Sequence, residues 1–336
     1  MIREILGRLA EGEDLTEGEI RKVMGEIMEG RATSAQIASF LTALRMKGET
    51  VEEITGCAKE MLKKALSFNP RKDVLVDTCG TGGDKSNTFN ISTAVAFVVA
   101  GAGLVVAKHG NRALSSQCGS ADVLETLGVK LNISMKKLKE CLDKIGIGFL
   151  FAPLCHRAMK YALGPRREIG IRTIFNILGP LTNPLRANVR LLGVYHSSLT
   201  EPLARVLKNL GVRGAFVVCG EDGLDEISLS TRTKITQLKE GQIRTYYIQP
   251  EDFGMRKVSR DEIRGGNRKE NAHILRSILE GERGARREIV LLNAAACLVA
   301  ADMAEDLKEG IEMASESIDS GKAKEKLEML ISLTNV

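Results

Sequence analysis

The residues Val76 to Ala94, VDTCGTGGDKSNTFNISTA, place three glycines between an apolar, strand-like run and an apolar, helix-like run. Glycines let backbone N–H groups come close to an anion, and a helix N-terminus adds unpaired N–H groups and a partial positive charge. The loop therefore suits a phosphate. The two commonest phosphate loops do not fit it. A dinucleotide fingerprint needs glycine where Lys85 stands, and a P-loop needs glycine rather than Asp84 directly before Lys85 and Ser86. Thr88, Asn90, Ser92 and Thr93 supply further short donors at the start of the next segment.

Three more polar clusters stand just after apolar runs. KHGNRALSSQCGSAD, from Lys108 to Asp122, combines two cations, an amide and serines around glycines. HRAMKYALGPRREIG carries His156 and the adjacent Arg166 and Arg167. CGEDGLDEIS gathers Asp222, Asp225 and Glu226. Taken singly, glycine and serine after a strand are turn chemistry, and neighbouring acids are solvated. Taken together, donor-rich loops, cations and hard oxygen ligands suited to Mg²⁺ are what a phosphorylated, metal-bound substrate requires. Nucleophilic and zinc chemistry find no support, since there is no nucleophile elbow and the histidines lack ligand spacing. His196 and His273 read as ordinary polar residues. Positioning and charge are the expected catalytic means, with no general base assigned.

The elements that must hold these clusters change character along the chain. Residues 1–68 read as helical, with capping boxes at Thr16/Glu19, Thr33/Gln36 and Thr50/Glu53 and apolar residues at helical spacing behind them. SFNPRKD, residues 67–73, reads as a linker. Short apolar runs then alternate with helix-length segments: 74–77, 104–109, 146–153, 189–195 and 215–220. Such strands indicate a parallel-containing sheet covered on both faces, where ligands bind at the carboxyl ends. KITQLKEGQIRTYYI reads as an antiparallel excursion turning at Glu240 and Gly241, and the last 65 or so residues as mostly helical. The fold class is α/β: a small N-terminal helical domain, 1–68, beside a larger domain, 72–336, with a mixed, mostly parallel sheet flanked by helices. A later segment near 160–188 is expected to pack with the helical domain.

Bulk properties narrow the classes. The 48 Lys and Arg against 43 Asp and Glu are dispersed, which argues against a nucleic-acid stripe but not against a small anion. Seven cysteines without a CxxC pair read as buried hydrophobes of a reducing compartment. The N-terminus lacks a signal-peptide core and no run spans a membrane, so a cytoplasmic location is expected.

The motifs GTGGD, NISTA, KHGNRALSS, GSADVLETLG, GIRTIFNILGPLTNP and GLDEIS resemble, in order and across nearly the whole chain, the anthranilate phosphoribosyltransferases of tryptophan biosynthesis. The resemblance implies a nucleoside phosphorylase/phosphoribosyltransferase-like fold and a homodimer. It also implies transfer of phosphoribosyl from phosphoribosyl pyrophosphate (PRPP) to the amine of anthranilate with Mg²⁺, and no nucleic-acid or membrane partner. Carried over by position, PRPP falls to Gly80, Gly83, Asp84, Thr88, Asn90, Ile91, Ser92 and Thr93. It falls also to Lys108, His109, Gly110, Asn111, Arg112, Ala113, Leu114, Ser115, Ser116 and Ser120. Anthranilate falls to Gly80, Asn111 and Arg166 with His109, His156 and Pro180 nearby, and the metal to Ser92, Asp225 and Glu226. CHRAM stands where the family more often reads His-His-Pro-Ala-Met. A pyrimidine nucleoside phosphorylase would show Lys-His-Ser-Thr-Gly-Gly early on, where this chain has CGTGGDKSNT. A nucleic-acid-binding relative would have lost Asn111, Arg166, Asp225 and Glu226.

Overall fold

The computed structural model describes residues 1–70, 72–84, 86–113 and 117–336. The first four helices are α1 (Ile2–Ala10), α2 (Glu17–Met28), α3 (Ser34–Lys47) and α4 (Val51–Lys64). Each of the last three opens on a reciprocal box. At α3, for example, the Gln36 N–H donates to Thr33 Oγ1 and the Thr33 N–H to Gln36 Oε1. Such a cap contributes about 1 kcal/mol. The box at Thr50 does more, because buried Glu53 also accepts from the Leu15 N–H and from Lys47 Nζ, both at 3.0 Å. One carboxylate thus ties the start of α4 to the end of α3 and the entry to α2.

The sheet comprises β1 (Val76–Gly80), β2 (Val106–Gly110), β3 (Ile147–Phe151), β4 (Val189–Gly193), β5 (Gly214–Gly220), β6 (Thr233–Lys239) and β7 (Gln242–Ile248). Their order is β3-β2-β1-β4-β5-β6-β7, parallel as far as β5 and antiparallel beyond. Between the strands lie α5 (Ile91–Gly101), α6 (Ser120–Thr126), α7 (Met135–Lys144), α8 (Ala152–Cys155), α9 (Lys160–Ile169), α10 (Phe175–Leu181) and α11 (Thr200–Asn209). The chain ends in α12 (Arg268–Leu279), α13 (Ala285–Ala300), α14 (Leu307–Asp319) and α15 (Lys322–Thr334). This is a mixed, mostly parallel sheet with helices on both faces beside a helical N-terminal region.

One sequence reading changes in detail and another holds. The first strand starts two residues later than the apolar run at 74–77. There the Asn188 side chain takes the neighbour's part, accepting from the Leu75 N–H at 2.9 Å and donating to the Asp73 carbonyl at 2.8 Å. The hairpin turn falls at Glu240 and Gly241, both at positive φ (50° and 74°), as a two-residue turn matching the strand twist requires.

Side chains alternate across the strands. Val189, Leu191, Phe216 and Val218 join α5 and α12 to α15 on one face. Leu192, Val217 and Cys219 join α11, α1 to α4, α9 and α10 on the other. From β1 the chain steps to β2 and β3 in one direction, and from β4 to β5 in the other. The carboxyl ends of β1 and β4 therefore diverge and leave a crevice between their loops.

Candidate active site

Gly80 and Gly193 are register partners at the ends of β1 and β4. The loop after β5 lies across both. A Cβ on Gly193 would fall into the Asp225 backbone carbonyl, and one on Gly80 into the Asp225 carboxylate. With no side chain at either place, Asp225 Oδ2 reaches the glycine loop and accepts from the Gly82 N–H at 2.7 Å. Gly82 and Gly83 both have positive φ (64° and 70°), which turns the loop back over the strand ends.

The acidic loop is itself pinned. Asn293, buried in α13, accepts from the Ile227 N–H at 2.9 Å and donates to the Ile227 carbonyl at 3.0 Å. Asp222 turns away from its acidic neighbours, accepting from Ser228 Oγ at 3.2 Å and pairing with Arg260 at 3.4 Å. Of the three acids gathered in the sequence, Asp225 and Glu226 face the crevice. Burial, with the Asp84 carboxyl close by, pushes the Asp225 carboxyl upward. Burial and Asp225 push Glu226 well above its ordinary range, against the pull of Lys108 and the Ser92 N–H.

Buried Lys108 donates from Nζ to the Thr78 carbonyl and lies 3.3 Å from Ser92 Oγ, joining β2 to β1 and the start of α5. Thr93 Oγ1 and Asp84 Oδ2 are buried without hydrogen-bond partners. An unmet buried polar atom costs about 1–3 kcal/mol, so both are places for a ligand or ion to be gained. Asp84, Asp225 and Glu226 form no ion pair among the described residues, and this crowding of carboxylates fits Mg²⁺. No group of three His, Cys, Asp or Glu side chains is arranged around a metal among the described residues. Mg²⁺ suits such a place, since it is commonly held by one or two carboxylates, waters and substrate phosphates.

Other expected residues are engaged with the protein. The Asn90 side chain donates to the Cys118 carbonyl and accepts from Asn271, both at 3.1 Å, and Ile91 is buried. Arg112 pairs with Glu125, 2.7 Å, and with Asp122. The Ala113 N–H donates to Asp122 at 2.9 Å, and Ser120 Oγ and the Ala121 N–H donate to the Asn111 carbonyl. Asn111 is exposed, Thr88 Oγ1 lies 3.2 Å from Ser86 Oγ, and a Cβ on Gly110 would meet Ser120. Leu114, Ser115 and Ser116 lie outside the described residues.

A second wall is formed by α9 and α10. Buried His109 faces the Gly179 carbonyl through Nδ1 at 3.2 Å, and His156 faces the Thr182 carbonyl through Nε2 at 3.0 Å, with ring centres 5.1 Å apart. Each contact makes the ring a donor, leaving His109 Nε2 a buried acceptor without a partner. Burial lowers both histidines, His109 to about 3 with help from neighbouring His156. Both rings are neutral near pH 7. Arg190 donates to the Pro180 carbonyl and pairs with buried Asp77 at 3.3 Å, while Asp77 accepts from the His109 N–H at 3.0 Å. Arg166 sits half-buried over the Phe175 ring, 5.1 Å from its centre, with no hydrogen-bond or ion-pair partner among the described residues, whereas Arg167 is exposed. Burial alone lowers Arg166, the mark of a cation short of an anion.

Two family models match, a glycosyl transferase family helical bundle domain over residues 3–65 and a glycosyl transferase family a/b domain over 72–324. The anthranilate phosphoribosyltransferase of Acetivibrio thermocellus is 53% identical over 335 residues, 100% of this chain and 97% of that one. The chain belongs to the anthranilate phosphoribosyltransferase family. The anthranilate phosphoribosyltransferase of Thermus thermophilus superposes with a TM-score of 0.94 at 39% identity, covering 98% of this chain and 99% of that one. The Saccharomyces cerevisiae anthranilate phosphoribosyltransferase, solved in complex with PRPP and Mg, gives 0.91 at 30% identity, covering 99% and 98%. A further structure of that yeast protein is of its complex with 4-fluoroanthranilate.

For this anthranilate phosphoribosyltransferase family member, three positions escaped sequence reasoning. Gly193 ends an ordinary-looking apolar strand. Asn293 sits in an apolar helix, where a lone amide was the available signal. Arg172, inside GIRTIFNILGPLTNP, donates to the Gly83 carbonyl and lies 3.9 Å from the Tyr195 ring centre, bracing the glycine loop from the α9–α10 side.

Proposed function

We infer that this chain transfers phosphoribosyl from PRPP to the amine of anthranilate, giving N-(5-phosphoribosyl)anthranilate and pyrophosphate in tryptophan biosynthesis. The observation that carries the reading is the crevice between β1 and β4, with a glycine loop on one lip and Asp225 and Glu226 on the other, together with a half-buried Arg166 over Phe175 that has no ion-pair partner among the described residues. On this reading the PRPP pyrophosphate lies on the Gly80 to Thr93 loop, and the segment Lys108 to Ala113 with Ser120 completes its site. Asn111, Arg166, His109, His156 and Pro180 border anthranilate.

The bond from ribose C1 to pyrophosphate oxygen lengthens and breaks as the bond from C1 to the anthranilate nitrogen forms, and the nitrogen gives up one proton to water. Ser92, Asp225 and Glu226 would hold Mg²⁺, which when bound neutralises pyrophosphate charge. The loop N–H groups stabilise the charge growing on the leaving group. The Arg166 fork fits a planar carboxylate through two parallel hydrogen bonds and so orients the ring. An aromatic amine is nucleophilic while neutral, so orientation supplies much of the rate without a general base. His109 and His156, neutral and turned onto carbonyls, shape the wall rather than exchange protons.

The chain works as two domains, 1–68 with the 160–188 segment and 72–336, and as a homodimer; Met46, Tyr161 and Leu163 on the helical layer are exposed apolar side chains that favour a partner there. Seven free cysteines support a reducing, cytoplasmic setting, and no helix of the described residues is long and apolar enough to cross a membrane. Incubation with PRPP, Mg²⁺ and anthranilate while following anthranilate fluorescence tests the reading. Loss of fluorescence is expected, and no turnover by folded protein would overturn it.

A further inference from the structure

A cleft of about 500 Å³ opens at the end of the sheet opposite the crevice, where α2 and α4 meet the turn leading into β4 and the end of α11. Its cations are Arg21, Lys59, Lys63, Arg186 and Arg190, and Leu62, Leu181 and Leu210 give it apolar surface. Lys59 and Arg21 reach Glu17, Arg21 and Lys63 share Glu60, and Arg190 pairs with Asp77. Four of the five cations thus contact three carboxylates, and the five together leave an excess of two positive charges.

Arg186 is the outlier. It is exposed, makes no side-chain hydrogen bond or ion pair among the described residues, and holds φ at +54°, a region that disfavours a side chain. Its turn is built firmly: Arg186 N–H donates to the Asn183 carbonyl at 2.9 Å and Leu185 N–H to Asn183 Oδ1 at 3.0 Å. Glycine would fill that corner without strain, yet the position holds a guanidinium at the cleft.

We propose that this cleft binds a small organic phosphate monoester at a site separate from the catalytic crevice. The monoester carries close to two negative charges at pH 7, matching the excess, and three acceptor oxygens for the guanidinium and ammonium donors. The leucines favour an apolar body on the ester, and the volume lies within the usual range for small-molecule sites.

The test is calorimetric titration of the full-length protein with phenyl phosphate, inorganic phosphate and the dicarboxylate phthalate, with crystals soaked in 4-bromophenyl phosphate. Phenyl phosphate is expected to bind at least several-fold more tightly than the other two, and the bromine signal to lie in the cleft. The double variant Lys63→Glu/Arg186→Glu should bind phenyl phosphate at least 10-fold more weakly, with kcat/KM for PRPP unchanged within about twofold. Arg186→Gly, which relieves the backbone, should melt higher than the wild type yet also bind more weakly. Undiminished binding in the variants, a bromine signal confined to the crevice, or equal affinity for phthalate would each overturn the proposal.

Discussion

Asp225 reaches over the ends of two strands to take the N–H of Gly82 at 2.7 Å, from a loop 143 residues earlier in the chain. This one bond sets an acidic side chain against the glycine loop that carries Asp84, so that like charges meet there.

Neutralising that acidic lip should therefore separate stability from activity. Asp225→Asn with Glu226→Gln keeps size and the Gly82 contact but removes two carboxylates that burial disfavours as charges. The double variant should lose Mg²⁺-dependent turnover by on the order of 100-fold and gain about 1 kcal/mol of stability without metal. Rates across a Mg²⁺ series and urea melts in chelator check both. Wild-type Mg²⁺ dependence in the variant would remove the metal-holding role.

Arg166 and Arg167 should differ sharply despite being neighbours. Arg166→Ala removes a desolvated cation that has no ion-pair partner among the described residues, and it should raise the anthranilate KM, with a loss on the order of 2–4 kcal/mol in kcat/KM, while leaving the KM for PRPP nearly unchanged. Arg167→Ala should change little, because an exposed arginine contributes little. Steady-state kinetics decide it, and the assignment fails if Arg167→Ala is the more damaging.

Arg172 braces the other side of the glycine loop. Arg172→Met keeps the stem over Tyr195 but loses the donor to the Gly83 carbonyl. The KM for PRPP should rise about 10-fold, equivalent to ~1.4 kcal/mol, with the anthranilate KM nearly constant. Equal effects on both substrates would show that the loss is global.

His109 should stay neutral through the physiological range. Its pKa is pulled to about 3 by burial, so below the ordinary value of 6.5 the unfolded chain takes up the proton first. Its share of stability is complete above pH 6.5 and is lost as pH falls toward 3, at up to ~1.4 kcal/mol per pH unit. Urea melts from pH 4.5 to 7.5 should show a steeper acid-side decline for the wild type than for His109→Gln. The His109 imidazole resonances should be flat over the same range; a midpoint near 6.5 contradicts the burial argument.

Much of this was legible where the signal is local. The capping boxes need only four residues each, and the apolar runs announce buried parallel strands before any pairing is known. Register was not legible. Nothing near Gly193 says that it will lie beside Gly80 under Asp225, and nothing near Asn188 says that it will stand in for a strand at Leu75. Charge state was equally hidden, since His109 is neutral because of its burial in the folded chain and a neighbouring ring from His156. The cations of the second cleft come from α2, α4, the turn before β4 and β4 itself, so no stretch of sequence shows them as a group.

The amide of Asn293 carries a consequence for how the molecule is made. It holds both backbone groups of Ile227 from 66 residues downstream, and Ile227 follows the acidic pair directly. A nascent chain can complete every strand and still leave Ile227, next to Asp225 and Glu226, without its Asn293 tether. With the proposed metal-holding role of Asp225 and Glu226, turnover would wait until α13 has docked and so would report a late step of folding, after the sheet has formed.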